Sequence, residues 1–131
     1  VDRALGGNDF RAARSEAHKL PAGPARMYAE ARVFEAEGRF AKAAADYGTA
    51  ARGGERGAYR RLVRMTTSKG CAARAASARA LGELGDPQAI PALESLAAGS
   101  YPDEGEDSAL GSIFGCSSRR AARDALSALR R

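Results

Sequence analysis

A 45-residue internal repeat constrains the fold of this chain more than any other feature of its sequence. Its members are small and apolar residues that recur at one offset: Ala76, Ser77, Ala80, Leu81 and Leu84 correspond to Ala121, Ala122, Ala125, Leu126 and Leu129. The same offset relates Arg74 to Arg119 and Cys71 to Cys116. Within each copy the apolar residues follow the spacing of one face of an α-helix. Repeats of this length are typical of helix pairs that stack to bury a shared core.

A helix stop followed by a helix start lies just after the first copy. Gly85 can end one helix, Asp86 can cap the next, and Pro87 suits its first turn. A new apolar stripe then follows, made of Ile90, Leu93, Leu96 and Ala97. Residues 79–93, which read RALGELGDPQAIPAL, closely resemble the bacterial HEAT-like repeat that is also found in phycobilisome lyases. This resemblance implies HEAT-like helices over about residues 55–131.

A shorter repeat occupies the first part of the chain. Two stripes have the same spacings 30 residues apart: Phe10, Ala13, Ala17 and Leu20, then Phe40, Ala43, Tyr47 and Ala50. Met27, Ala31 and Phe34 mark a partner helix between them. This arrangement resembles tetratricopeptide repeats over about residues 8–52. It departs from that family's pattern at Glu30, where a large apolar residue is usual.

The composition agrees with a helical fold. The chain has 31 alanines among 131 residues and no tryptophan. Alanine has the highest helix propensity of the amino acids. We therefore predict an all-α fold, a right-handed helical-repeat solenoid (α-α superhelix) of about seven antiparallel helices. The predicted domains are tetratricopeptide-like helices at 1–52 and HEAT-like repeats at 53–131 with an acidic insertion at 99–115, joined in one continuous array.

No catalytic signature is present in the sequence. It contains no G-x-S-x-G, no H-E-x-x-H, no phosphate loop and no G-x-G-x-x-G. His18 is the only imidazole, and we expect it to face solvent. Two cysteines and one histidine are too few for a four-ligand zinc site. We therefore predict a chain that is not an enzyme and has no catalytic residue, metal or cofactor.

Basic residues are concentrated near the middle of the chain. The net charge is +5, and the densest cluster is Arg52, Arg56, Arg60, Arg61 and Arg64, opposed only by Glu55. We interpret this cluster as the solvated face of a helix that also contacts a protein partner. Arginines can instead bind phosphate backbones through counterion release. Nucleic-acid binding through the Arg52–Arg64 cluster is therefore the alternative function.

An acidic run and two cysteines mark the second half of the chain. Residues 103–107 read DEGED, lack the ligand spacing of a calcium loop and are expected to form a flexible acidic loop. Cys71 and Cys116 each follow a glycine and start equivalent helices of the repeat. Equivalent positions in packed helices lie about 8–10 Å apart, whereas a disulfide needs Cα atoms within about 7 Å. The insertion between the copies could relax this spacing, so both a disulfide and two free thiols stay open.

Helical repeats commonly use their concave surface to hold other proteins. We expect a non-catalytic interaction or scaffold module whose groove receives a protein or peptide partner. Tyr28, Phe34 and Tyr47 are the candidate aromatic positions, which include both core and contact residues. No apolar run approaches the roughly 20 residues that a membrane helix requires.

The first residue and the composition suggest where the chain comes from. Val1 is not an initiator methionine, so we expect either a fragment of a larger protein or a processed form. Helical arrays of this kind occur in larger bacterial signalling proteins. The bias towards arginine and alanine suggests a GC-rich bacterial genome. The compartment depends on the redox state of Cys71 and Cys116, because disulfides persist in oxidising surroundings. An enzyme-accessory or lyase-like role, by analogy with phycobilisome lyases, rests on likeness of fold alone.

Overall fold

The computed structural model describes residues 1–104 and 115–131, and these residues are all-α, as the sequence predicts. The helices are α1 (Asp2–Gly6), α2 (Phe10–His18), α3 (Pro24–Ala36), α4 (Phe40–Arg52), α5 (Arg56–Met65), α6 (Cys71–Leu84), a short 3-10 helix (Pro87–Ala89), α7 (Ile90–Ala98) and α8 (Ser118–Leu129). The described part thus has one α-helix more than the seven expected. The additional one, α1, is too short to give a periodic signal. Of the predicted insertion, residues 105–114 lie outside the described part of the chain.

The chain divides into two compact units, residues 1–61 (the N-terminal unit) and residues 62–131 (the C-terminal unit). The sequence placed the division earlier, after residue 52. The difference arises because the first half of α5 packs into the N-terminal unit. Arg61 pairs with Glu35 of α3, and a Cβ atom at Gly57 would lie 3.3 Å from Cζ of Tyr28. A continuous right-handed array stays a prediction.

The N-terminal unit is built from helices that pack on their neighbours in the chain: α1 on α2, α2 on α3, and α3 on α4. Most positions of the two predicted stripes lie in its core. Ala13, Ala17, Ala43, Tyr47 and Ala50 are fully buried. Leu20 is an exception, with 38% of its surface exposed, because α2 ends at His18 and the helical spacing does not continue. Gly38 forms the turn between α3 and α4 with φ of 80°, a conformation that favours glycine.

In the C-terminal unit, α8 packs against both α6 and α7. The predicted stop and start between α6 and α7 are confirmed. Gly85 ends α6 in the left-handed conformation with φ of 77°, and the Asp86 side chain accepts a hydrogen bond from the backbone N–H of Gln88. Leu93 and Leu96 of α7 are buried. No helix of the described residues is both long and apolar enough to span a membrane.

Gly82 allows the close approach of α6 and α8. A Cβ atom at this position would lie 2.9 Å from Cβ and 3.0 Å from Cα of Ala125. These distances are shorter than carbon atoms tolerate, and one of the two contacts involves the backbone. The helix spacing in this unit therefore depends on the absence of a side chain at Gly82.

We expect Gly82→Ala to lower the free energy of unfolding by about 1–3 kcal/mol, the usual cost of overpacking a core. The loss would come although alanine favours helices over glycine by about 1 kcal/mol. Urea denaturation followed by circular dichroism measures the change. Gly6→Ala is the matched control, because Gly6 is also a helical residue and a Cβ there meets no atom within 4 Å. A stability gain in Gly82→Ala would contradict the close contact.

Candidate functional site

Tyr47, one of the predicted contact residues, belongs to the core of the N-terminal unit. Its side chain is fully buried, and its hydroxyl donates a hydrogen bond to Glu35 Oε1 at 2.6 Å. Burial and this bond to a carboxylate raise the pKa of Tyr47 far above its ordinary value. Of the three aromatic residues that the sequence expected to include both core and contact positions, Tyr47 is thus a core residue, a distinction that helical spacing alone does not make.

Arg61, which is half-buried, contacts the same carboxylate. Its Nε donates a hydrogen bond to Glu35 Oε1 at 2.9 Å, so one carboxylate oxygen accepts from both Tyr47 and Arg61. Burial alone would lower the pKa of the Arg61 guanidinium, but the bond to Glu35 raises it. Arg61 is therefore an internal partner of α3, unlike the other arginines with which the sequence grouped it.

The other two predicted aromatic residues, Tyr28 and Phe34, are half-buried on α3. The Tyr28 ring packs on Tyr47 with the ring centroids 5.8 Å apart. Three cations surround the ring of Phe34: its centroid lies 4.7 Å from the guanidinium carbon of Arg39 and 5.7 Å from both Arg14 Cζ and Lys42 Nζ. Cation–π contacts of this kind contribute about 0.5–1 kcal/mol each at exposed sites. Tyr28 and Phe34 stay candidate contact residues.

The remaining arginines of the cluster are exposed. Arg56, Arg60 and Arg64 lie on α5, and Arg52 lies at the end of α4. The three on α5 are four residues apart and so share one face of the helix, which we call the Arg stripe. Among residues 1–104 and 115–131, no carboxylate pairs with the Arg stripe.

The Arg stripe has an energetic cost. Like charges four residues apart on a helix destabilise it by about 0.2–0.5 kcal/mol per pair. The buried face of α5 compensates for this cost, since Ala58, Leu62 and Met65 are each no more than 1% exposed. The helix is therefore stabilised on one face and strongly cationic on the other.

A buried arginine organises the C-terminal unit. Arg74 is only 1% exposed, although it carries a full positive charge. Its guanidinium donates hydrogen bonds to Ser118 Oγ at 3.1 Å and to the backbone carbonyl oxygens of Ser68 and Lys69 at 3.0 and 2.7 Å. The ring of Tyr101 covers one face, with its centroid 4.0 Å from the guanidinium carbon.

Two neighbouring carboxylates balance the charge of Arg74. Its Nη2 atom donates to Asp103 Oδ1 at 2.6 Å and to Glu104 Oε2 at 2.9 Å. Asp103 also accepts a hydrogen bond, at 2.7 Å, from the backbone N–H of Cys71, the first residue of α6. Glu104 accepts from the backbone N–H and the hydroxyl of Ser118, both at 2.6 Å, and from the backbone N–H of Arg119 at 3.3 Å. The two carboxylates therefore satisfy donors at the starts of α6 and α8.

The sequence predicted a flexible acidic loop at residues 103–107, and these contacts correct that prediction for Asp103 and Glu104. The Glu104 side chain is only 1% exposed and the Asp103 side chain is 41% exposed. Their carboxylates are held by Arg74 and by helix N-termini. Residues 105–107 lie outside the described part of the chain.

The pKa values of both carboxyl groups are lowered. For Asp103 the main cause is its hydrogen bond from Arg74. For Glu104, burial acts to raise the pKa, but the bonds from Ser118, Arg74 and Arg119 outweigh it. Both groups therefore stay ionised at neutral pH. With four donors on its two oxygens, the Glu104 carboxylate has little capacity left to act as a base.

Cys71 and Cys116 form a disulfide with their Cα atoms 6.1 Å apart. The sequence placed both cysteines at the start of a helix, at an expected separation of about 8–10 Å. Cys71 is indeed the first residue of α6, but Cys116 lies in the non-helical segment ahead of α8, whose N-cap is Ser117. This offset brings the sulfur atoms within bonding distance. The disulfide thus links the same two helix starts that Asp103 and Glu104 satisfy.

Sequence reasoning found the equivalence of Arg74 and Arg119 but assigned no role to Arg74. A signal was available, because Arg74 is the only charged residue in the first eight positions of α6. A run of small residues indicates a helix segment that is buried on more than one face. An arginine within such a segment needs a buried partner for its charge. The partner itself could not be identified from the sequence, since Asp103 and Glu104 are about 30 residues away.

His18 is exposed, as expected, and its Nδ1 lies 2.5 Å from Nη2 of Arg26. Within the described ranges, no group of three or more histidine, cysteine, aspartate or glutamate side chains is arranged to hold a metal ion.

One family comparison bears on this geometry. Residues 73–99 match the PBS lyase HEAT-like repeat. The match begins beside Arg74 and covers the rest of α6, the 3-10 helix and α7. No curated protein matches the chain, and no solved structure does. The HEAT-like resemblance is therefore confirmed for this segment, while the tetratricopeptide resemblance of residues 8–52 stays a prediction.

We expect Glu104→Gln to lower the free energy of unfolding by about 3 kcal/mol at neutral pH, because a buried charge loses part of its compensation. In the unmodified protein, the contribution of Glu104 is present above its ordinary pKa of 4.5 and is lost as the pH falls through its lower folded-state pKa. Urea denaturation at a series of pH values should therefore give a shallower acid loss for the variant. The control is Glu94→Gln, which removes an exposed pair with Arg130. Equal pH profiles for wild type and Glu104→Gln would contradict the assignment.

The disulfide closes a loop with a sequence separation of 45 residues. Chain-entropy estimates for such a loop give about 4 kcal/mol of stabilisation. We expect a reducing agent to lower the free energy of unfolding by about this amount. Double substitution of Cys71 and Cys116 by serine should produce the same loss and abolish the response to reductant. Two free thiols in unreduced protein, detected by alkylation and intact mass, would be incompatible with this bond.

Proposed function

We propose that this chain is a non-catalytic helical-repeat module that binds another protein. The observation that carries the proposal is the HEAT-like repeat at residues 73–99. Repeats of this class present extended helical surfaces, which commonly serve as protein-binding scaffolds. Fold alone does not determine function, so the surface chemistry must supply the rest of the case.

The distribution of charge supports this proposal. The buried charged groups, Arg74 and Glu104, are occupied with one another and with backbone groups. They stabilise the fold, and these hydrogen bonds leave neither Arg74 nor Glu104 poised for proton transfer. The surface carries the exposed Arg stripe and the half-buried ring of Phe34, which contacts nearby basic side chains. Such surfaces suit recognition of a partner better than chemistry on a substrate.

We also propose that the chain is part of a larger bacterial protein, such as a signalling protein, in which it serves as a docking module. This proposal rests on the resemblance of residues 79–93 to bacterial repeats and on the arginine-rich and alanine-rich composition. The Cys71–Cys116 bond favours an oxidising compartment, because thiols in the cytosol are usually kept reduced.

Nucleic-acid binding is the second candidate function. The specific observation in its favour is the exposed Arg stripe, which no described carboxylate neutralises. If the stripe contacts phosphates, the logarithm of the binding constant should fall with the logarithm of salt concentration, with a slope of about 0.9 per phosphate on duplex DNA. A gel-shift series over salt concentration measures this slope.

A pull-down from a lysate of the source organism tests the proposed function. We expect the tagged chain to retain a protein that persists after nuclease treatment, because the contact is between proteins. The tag alone serves as the control for adsorption. If every retained protein is released by nuclease, the nucleic-acid candidate takes precedence. If no protein is retained at any salt concentration, the interaction module is wrong.

A further inference from the structure

The Arg stripe of Arg56, Arg60 and Arg64 places three exposed positive charges on one helix face. It lies on a single helix, opposite a face that is fully buried. We infer that the Arg stripe is a docking surface for an acidic helix of a partner protein, one that carries a carboxylate at every fourth residue. This inference rests on the proposed protein-binding function and specifies the chemistry of the partner.

The spacing of the Arg stripe favours a helical partner. An α-helix rises about 1.5 Å per residue, so positions four residues apart lie about 6 Å apart along the axis. Carboxylates four residues apart on a second helix have the same period. Two helices packed side by side can therefore align all three arginines with three carboxylates. The planar guanidinium group binds a carboxylate through two parallel hydrogen bonds, which adds geometric specificity.

The surroundings of the stripe suit single-stranded nucleic acid less well. Proteins that bind single strands combine a basic groove with aromatic residues on which bases stack. The aromatic residue on α5 is Tyr59, which is half-buried and already makes contacts within the structure. The three positions of the Arg stripe are all arginine, so the stripe itself offers no aromatic ring on which a base could stack. Nucleic acid held by charge alone would bind with an affinity that does not depend on how its phosphates are spaced relative to the arginines.

A second copy of this chain is a poor source of the acidic helix. Asp103 and Glu104 are engaged by Arg74 and by the starts of α6 and α8. The other acidic residues of that run, Glu106 and Asp107, are adjacent in the sequence and not four positions apart. Nowhere in the sequence do three acidic residues follow one another at intervals of four. The partner is therefore a different protein, whose helix offers carboxylates with the period of the stripe.

The test uses the whole chain and two labelled peptides of identical composition. In the first, an alanine-rich helix carries three glutamates four residues apart, so that they share one face. In the second, the same glutamates are placed on different faces. By fluorescence anisotropy, we expect the first peptide to bind about tenfold more tightly, because only it can pair with all three arginines, at up to about fivefold per exposed pair.

Charge reversal provides the second arm. We expect the triple variant Arg56→Glu, Arg60→Glu and Arg64→Glu to bind the one-face peptide about a hundredfold more weakly, because three attractive contacts become repulsive. The matched control is Arg79→Glu, Arg120→Glu and Arg123→Glu, which changes the net charge equally at other exposed positions. We expect the control variant to lose less than about threefold in affinity for the one-face peptide, because it changes only the net charge, which salt largely screens at physiological concentration. Circular dichroism checks that both variants keep the helical content of the parent.

Several outcomes would overturn the inference: equal binding of the two peptides, equal loss in both triple variants, tighter binding of a single-stranded or duplex oligonucleotide than of the one-face peptide, or self-association through the stripe in light scattering. The proposed function has a separate readout. If a protein partner is captured equally by wild type and by the triple variant of the stripe, the chain is a protein-binding module and the partner docks elsewhere.

Discussion

The C-terminal unit depends on the burial of one positive charge. Arg74 is 1% exposed and is balanced by Asp103 and Glu104, which also satisfy donors at the starts of α6 and α8. Placing an ion in the interior costs several kcal/mol unless its partners are well oriented. Removal of any one partner therefore leaves the others unsatisfied. The disulfide connects the same two helix starts covalently, so the unit is held at one point by two independent means.

The N-terminal unit distributes its charges differently. Glu35 is shared by Tyr47 and Arg61 inside the unit, whereas the side chains of Arg56 and Arg60 on α5 are exposed to solvent. One helix thus separates structural from exposed arginines within a few residues. Repulsion between the exposed residues lowers helix stability, and the buried face of α5 compensates for that loss. A complementary carboxylate surface on a partner would remove this repulsion, which is why we assign the stripe to recognition.

Much of the helical architecture could be predicted because it is encoded locally. The apolar spacing of residues 71–98 identified α6 and α7, and Gly85 and Asp86 acted as the expected stop and cap. The candidate site was predicted less well. The sequence offered Tyr47 as either a core or a contact residue and Arg61 as a contact residue. The structure buries Tyr47 and pairs Arg61 with Glu35, a distinction that the shared helical period of a core stripe and a groove does not make. Asp103 and Glu104 looked like a solvated loop, because their partner Arg74 is remote in the sequence.

The amino-acid sequence by itself determined the helices, their turns, the repeated pattern of the C-terminal half and the clustering of basic residues, because these follow from interactions between residues a few positions apart. Only the tertiary structure decided which charges are structural. The pairing of Arg74 with Asp103 and Glu104, and the 6.1 Å approach of the Cys71 and Cys116 Cα atoms, depend on how α6 and α8 pack. Packing brings distant residues together and excludes water from them, and neither effect can be read from local spacing.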